Sequence, residues 1–440
     1  MIEGAIIAPG RSFGTHRENK ESDMKRWISF LLAAAMLFAA AGCSKQPENT
    51  DDLMQGITVT PVKDTDVAED AAHMLDFFLN LGRKTAGEGN VLVSPLSALA
   101  ALSMTANGAK GETLAQMEQV LGMDIAGLNG WMHSYLDSLP ESKDSSLKLA
   151  NSLWFTDSAS FTPAESFLKT NADYYGAGIY RTKFDAMALT AINNWVSAHT
   201  NDMIRNILDQ IPEYAVMYLV NALAFDAAWE TPYEEHQVRK KSFTCADATE
   251  TEVTMLSSEE SAYLEDDWAT GFIKYYKGRD YAFVALLPKE GMTPAQYLEK
   301  VSGESLHGLL SAPEDIKVFA AMPKFEMGYS VELSEVLQSL GMTDAFDGER
   351  ADFSGIGISE DGALYISRVL HKTAIAVTEQ GTRAGAATAV EIRAYGALAP
   401  GEYREVNLDR PFVYMLIDCE NNLPFFIGTM ENPNQTSNQK

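Results

Sequence analysis

The chain is poor in the residues that ordinarily carry covalent or metal chemistry. It has three cysteines in 440 residues, Cys43, Cys245 and Cys419. Cys43 closes an apolar segment near the start, and nothing in the placement of the other two argues for a bridge, so they read as free thiols. Seven histidines are scattered without metal-ligand spacing, and no metal or cofactor is expected. The patterns GxGxxG, GxxxxGK[ST], HExxH, CxxC and GxSxG are all missing. An enzyme is therefore the least favoured class, although a Ser-His-Asp site is geometric and is not read from sequence. Positive charge is also scarce. Lys and Arg total 34 against 61 Asp and Glu, a formal charge of −27. Without Lys and Arg clusters, nucleic acid is not an expected partner, and the acidity reads as solubility. The apolar run Trp27–Ala41 falls short of the ~20 residues that a membrane-spanning helix needs.

One stretch is short of bulky anchors yet patterned as a strand: Glu379 to Tyr395, EQGTRAGAATAVEIRAY. Thr382, Ala384, Ala386, Thr388, Val390 and Ile392 share one side of a period-2 pattern. Arg383, Gly385, Ala387, Ala389, Glu391 and Arg393 share the other, which carries every charge after Glu379. Such small residues would let the segment slip between strands already packed on a core, where larger side chains clash.

This stretch belongs to a wider pattern. HKTAIAVTEQGTRAGAATA, NVLVSPLSALAALSMTANGAKGETLAQM, LVNALAFDAAWE at 219–230 and RPFVYMLIDCENNLPFFIGTMENP at 410–433 together resemble the serpins. The resemblance runs in order over roughly residues 66 to 433. Length alone favours two or three domains. The resemblance instead implies one α+β domain, residues 67–433, with helices packed around a large central mixed β-sheet, smaller sheets and an exposed reactive-centre loop.

The flanks read differently. Residues 1–23 are polar and are expected to be an over-extended start, with Met24 the initiator. Residues 24–43 form an export signal: Lys25 and Arg26, a short apolar core, then Ala40-Ala-Gly-Cys43, which looks like a bacterial lipobox with Cys43 acylated. Ala40 departs from the usual Leu, and a plain secretory signal is the alternative. Residues 44–66 read as a flexible tether and 434–440 as a disordered tail. The expected location is the outer surface of a bacterial cell, held by a lipid anchor, or the medium if the lipobox is not used.

Helical spacing predicts a helix over Val67–Arg83, another from Ser94, one over 188–202 with Trp195 on its apolar face, and one over VELSEVLQSLGM ending at Gly341. SLKLANSLWF at 146–155 and the apolar run Tyr214–Phe225 predict strands, and 272–288 predicts a hairpin turning at Lys277–Asp280. The resemblance gives several residues roles. Ser94, Ser97, Asn221 and His371 match a buried polar network, the shutter, where the strands of the main sheet part. Ser94 also serves as a helix cap, and a lone His on an apolar strand is ordinarily a satisfied core residue. Trp229 matches the aromatic residue at the top of the sheet, the breach. Lys324 and Glu379 match an ion pair beside it. Glu379, Gly381, Thr382, Ala384, Gly385, Ala386 and Ala387 form the hinge.

What the resemblance implies is a suicide-substrate inhibitor of serine, or cysteine, endopeptidases. The protease cuts the loop and forms an acyl-enzyme; the loop then inserts into the main sheet and carries the protease with it. Serpin loops are cut about seventeen residues after the base Glu, which gives Tyr395–Gly396 and a chymotrypsin-like target. Arg393–Ala394 would suit a trypsin-like protease, and Ala397 or Leu398 an elastase-like one. Arg383 stands where serpin hinges commonly carry Glu, on the side expected to face solvent. A monomer is expected. The competing reading is a non-inhibitory serpin, a surface binding or structural protein with a static loop.

Overall fold

A computed structural model describes residues 50–439 except 88, 141, 158–160, 201, 203, 205, 206, 212–216, 361 and 383–401; of residues 221, 222 and 437–439 it describes the backbone alone. The main sheet has eight strands in the order β1 (Thr50–Asp52), β5 (Gly178–Thr182), β3 (Ser145–Thr156), β6 (Met217–Ala228), β15 (Gly381–Thr382), β14 (Leu370–Val377), β12 (Phe325–Glu332) and β19 (Ser437–Gln439). β3 with β5 and β12 with β19 are parallel pairs; the rest are antiparallel. A second sheet runs β16 (Tyr403–Asn407), β11 (Glu314–Pro323), β8 (Glu250–Glu265), β9 (Ala269–Tyr275), β10 (Tyr281–Pro288), β17 (Phe412–Asp418), β18 (Pro424–Met430) and β2 (Val91–Val93), with β7 (Val238–Thr244) also paired to β8. β4 (Phe161–Pro163) and β13 (Gly357–Ser359) pair separately.

Helix Pro95–Ala106 packs against β6 of one sheet and β18 of the other. Every one of its residues is buried, Ser97, Ser103 and Thr105 among the apolar ones, so it shows no amphipathic stripe. Ser94 caps it by accepting from the Ser97 N–H, and Pro95 fills the first turn, where a missing N–H costs nothing. Helix Val67–Thr85 is started by Asp66, which accepts from Ala68 N–H, and follows the dipole rule with Glu69 and Asp70 in its first turn and Arg83 and Lys84 in its last.

The faces of β6 set the geometry of the site. Leu223, Phe225 and Ala227 join the main core with Ile375 and Val377 of β14. Val220 faces the other way, into a smaller cluster with Trp154 of β3 and Ile192 and Val196 of helix Ala186–His199. Odd-numbered residues of β6 thus look into the main core and even-numbered ones away from it, as the pleat requires.

Three expectations are corrected. Residues 50–66 are not a free tether: β1 pairs with β5. Beyond it, Thr60 N–H donates to Asp173, Lys169 donates to Thr58 O and Thr60, and Thr65 N–H donates to Ser134. The polar composition hid this because an open sheet edge binds backbone groups whatever the side chains. In the tail, Ser437–Gln439 forms β19 along β12, and Thr436 O accepts from Gly328 N–H, again by backbone alone. The helix read over VELSEVLQSLGM spans only Ser334–Leu340; Val331 and Glu332 finish β12, since a strand with period-2 burial runs straight into it. Gly341, at φ 120°, ends that helix as its sequence predicts.

Candidate functional site

The main sheet is split. β6 and β14 share no backbone ladder among the described residues; the two-residue strand Gly381–Thr382 lies between their upper ends. Gly381 pairs with Ala228, and Thr382 pairs with Ala227 on one side and Val377 on the other. Position 381 admits only glycine, because a Cβ there would lie 2.1 Å from Ala227 O and 2.9 Å from Ala228 Cα. At the far end of the split, an apolar cavity of about 100 Å³ is lined by Met217, Leu219, Leu370, His371, Ala98 and Ala101 among others.

The base of the loop is fixed mainly by backbone hydrogen bonds. Trp229 N–H donates to Gln380 O (2.9 Å), Tyr233 N–H to Glu379 O (2.9 Å), and the Trp229 indole N–H to Thr378 O (2.9 Å). Thr378 N–H and its hydroxyl both donate to Gly381 O, closing a tight turn. The Tyr276 hydroxyl and Thr382 Oγ1 are hydrogen-bonded in the core. Trp229 and Tyr276 stack with centroids 4.4 Å apart and planes 7° from parallel.

Lys324 Nζ donates to both carboxylate oxygens of Glu379, at 2.9 and 2.8 Å. Burial pushes the Glu379 carboxyl up, but the hydrogen bond and charge of Lys324 outweigh it and hold the group below its ordinary value. The pair is partly exposed, so its worth is about 1 kcal/mol or less.

Under Trp229 lies an ion pair that the sequence reading missed. Lys274 Nζ, 2 % exposed, donates to Glu260 Oε1 at 2.8 Å and stands over the Tyr233 and Trp229 rings at 4.5 and 5.4 Å. Burial pulls this ammonium down, yet the Tyr233 and Glu260 oxygens prevail and its pKa stands above the ordinary value. The available signal was a lysine inside the apolar run Phe272-Ile273-Lys274, which has to find a carboxylate to be buried.

Further along the split, His371 is buried, and its Nε2 accepts from Ser94 N–H at 2.9 Å, so the neutral ring carries its proton on Nδ1. Ser97 is buried one turn away. Thr373, two residues along β14, donates to Leu92 O at 2.7 Å. Asn221 sits on β6, and its side chain lies outside the described residues. So do Cys43, Ala384, Gly385, Ala386, Ala387, Arg393, Ala394, Tyr395 and Gly396. Cys245 is buried, Cys419 is half-buried, and neither forms a disulfide.

The fold is thus that of a protein whose main sheet is parted between two central strands, with a two-residue strand at one end of the gap. The chain belongs to the serpin family. A sequence model of that family, described as serpin (serine protease inhibitor), matches residues 72–433. An uncharacterized serpin-like protein of Thermococcus kodakarensis is 30% identical over 436 residues, covering 93% of this chain and 99% of its own. A serine protease inhibitor of Cyanea capillata is 29% identical, covering 79% of this chain and 93% of its own. The native structure of the thermophilic serpin Tengpin superposes with a TM-score of 0.83 at 44% identity, covering 87% of this chain and all of that one; its latent state gives 0.75. Serpins are generally protease inhibitors, not enzymes.

Two outcomes follow from this geometry. Burial lowers His371 from 6.5 to about 4, so the folded state resists a proton that the unfolded chain accepts. That stability is fully present above pH 6.5 and is lost as pH falls towards about 4, by about 3 kcal/mol in total. Unfolding midpoints across this range should show the slope, and His371→Gln should flatten it. Gly381→Ala should drive the two-residue strand out of the sheet at a cost of about 1–3 kcal/mol. Amide exchange at Trp229 and Tyr233 reads this directly, and unchanged protection there would contradict the packing described.

Proposed function

We propose that the chain is a suicide-substrate inhibitor of serine endopeptidases that traps the acyl-enzyme by inserting its cut loop between β6 and β14. The observation that supports this most is Gly381–Thr382, already a strand at the mouth of the split. Continuing that register puts Ala384 between Phe225 and Ile375, both in the core, and Ala386 between Leu223 and Thr373. Small residues fit such positions. A fifteen-residue strand spans about 50 Å, enough to carry an attached protease far from where it docked. The driving force is completion of the sheet, held back until the loop is cut.

Tyr395–Gly396 is the proposed scissile bond, with a chymotrypsin-like target; Arg393–Ala394 is the trypsin-like alternative. The signal at 24–43 and Cys43 support a bacterial lipoprotein held at the cell surface; that it acts there as a monomer is part of the proposal.

The test mixes the chain with chymotrypsin-, trypsin- and elastase-like proteases and resolves the products on a denaturing gel. A band at the summed mass, with a C-terminal peptide starting at Gly396, is the expected result. Complete cleavage with no such band against all three would favour the non-inhibitory reading. Ala384→Arg, which would bury an unpaired guanidinium, should raise the number of chains consumed per protease trapped by about tenfold or more. Undiminished trapping by that variant would sink the insertion model.

A further inference from the structure

We propose that Asp226 is a positioning residue that receives Arg383 as the loop enters the main sheet. The proposal rests on the insertion reading above and names what that reading leaves open: how the entering strand finds its register.

Gly381 lies opposite Ala228 and Thr382 opposite Ala227 on β6, while Thr382 lies opposite Val377 on β14. Antiparallel pairing advances one residue on each strand, so the next residue of the loop falls opposite Asp226 on β6 and Ala376 on β14. That residue is Arg383. Thr382 is 2 % exposed and faces the core, so in an inserted strand that continues it position 383 would face away from the core. Asp226 is on that outer face too, because it alternates with the core residues Phe225 and Ala227. Ala376, the other neighbour, is small and sets no bulk against an incoming guanidinium. Directly opposed residues hold their Cβ atoms about 5 Å apart, within reach of a charge-assisted guanidinium–carboxylate contact.

The occupant is residues 383–392 of this chain, which follow Thr382 in sequence. Its charges match the wall they would meet. On the outer face the wall is acidic at the top, at Asp226, and basic lower down, at Lys372 of β14 and at Arg368 just before it. The segment is basic at its start, at Arg383, and acidic near its end, at Glu391, which the same register sets level with Arg368. Arg368 holds Glu332 at 2.8 Å, so its guanidinium already lies on this face. A slip by one residue would send Arg383 into the core, and a slip by two would part it from Asp226. The exchange of Glu for Arg at the hinge thereby has a partner: a glutamate in place of Arg383 would face Asp226 with like charge.

A charge-exchange cycle on the full chain tests this. Asp226→Lys, Arg383→Glu and the double variant are clipped in the loop with a broad-specificity protease, and thermal midpoints are taken before and after. Cutting should raise the midpoint of the unaltered chain strongly. Each single variant should lose about 1–2 °C of that rise, and the double variant should return to within about 0.5 °C of the unaltered chain. Losses that simply add in the double variant would overturn the assignment of Asp226 while leaving insertion intact. No rise at all in the unaltered chain would overturn the insertion reading and this proposal with it. Should the lysine variant not fold, Asp226→Asn keeps the size. It should weaken the rise when Arg383 is kept and improve it when combined with Arg383→Glu, and equal effects in both backgrounds would refute the pairing.

Discussion

Everything in this molecule turns on two strands that lie in one sheet without bonding to each other. β6 and β14 are both core-facing on alternate residues and both flanked by full ladders on their outer sides. Among the described residues only Gly381 and Thr382 join them. Backbone groups along the rest of the split have no ladder partner among the described residues. Under the proposed function, a sheet in that condition stores free energy that a further strand would release. The helix Pro95–Ala106 behind it packs on both sheets and supplies a closely packed floor beneath the split.

The loop's base is held mainly by main-chain contacts, and this matters for how the store is kept. Thr378, Glu379, Gln380 and Gly381 each offer a carbonyl to a donor from Trp229, Tyr233 or their own turn. These bonds are indifferent to side-chain chemistry, but the donors are not freely placed. Tyr233 and Trp229 rest on Lys274, and Lys274 on Glu260. A buried ion pair adds little net stability, and its value here is geometric: a fixed cation sets the tilt of the rings that grip the loop.

Much of this was legible in the sequence. Apolar runs, a hairpin pattern and helical spacing found the strands β3, β6, β9 and β10 and the helices Val67–Thr85, Pro95–Ala106, Ala186–His199 and, in part, Ser334–Leu340, because burial imposes those patterns. The small-residue alternation from Thr382 to Ile392 told which side of the loop is fit for a core. The termini were misread because β1 and β19 pair through backbone atoms with sheet edges that any extended chain fits, and the side chains that hold residues 58–65, Lys169, Asp173 and Ser134, lie far along the sequence. Lys274 and Glu260 are fourteen positions apart on neighbouring strands. Their meeting depends on strand register, which no local pattern announces. The Trp229–Tyr276 stack escaped for the same reason.

The two ends of the loop are rooted in different sheets. Thr382 ends in the main sheet, while Tyr403 begins β16, which runs parallel to β11 in the second sheet. Beyond β16 the chain continues into β17 and β18, wholly buried, with β17 bonded to β10, β18 to β2, and the two to each other. The segment after the loop is therefore woven into the core independently of the peptide bond that connects it to the rest. A cut anywhere in the loop yields two chains that still fold as one body. In native solution such a nicked molecule keeps very nearly the mass of the intact one, so its history is written in its stability and not in its size.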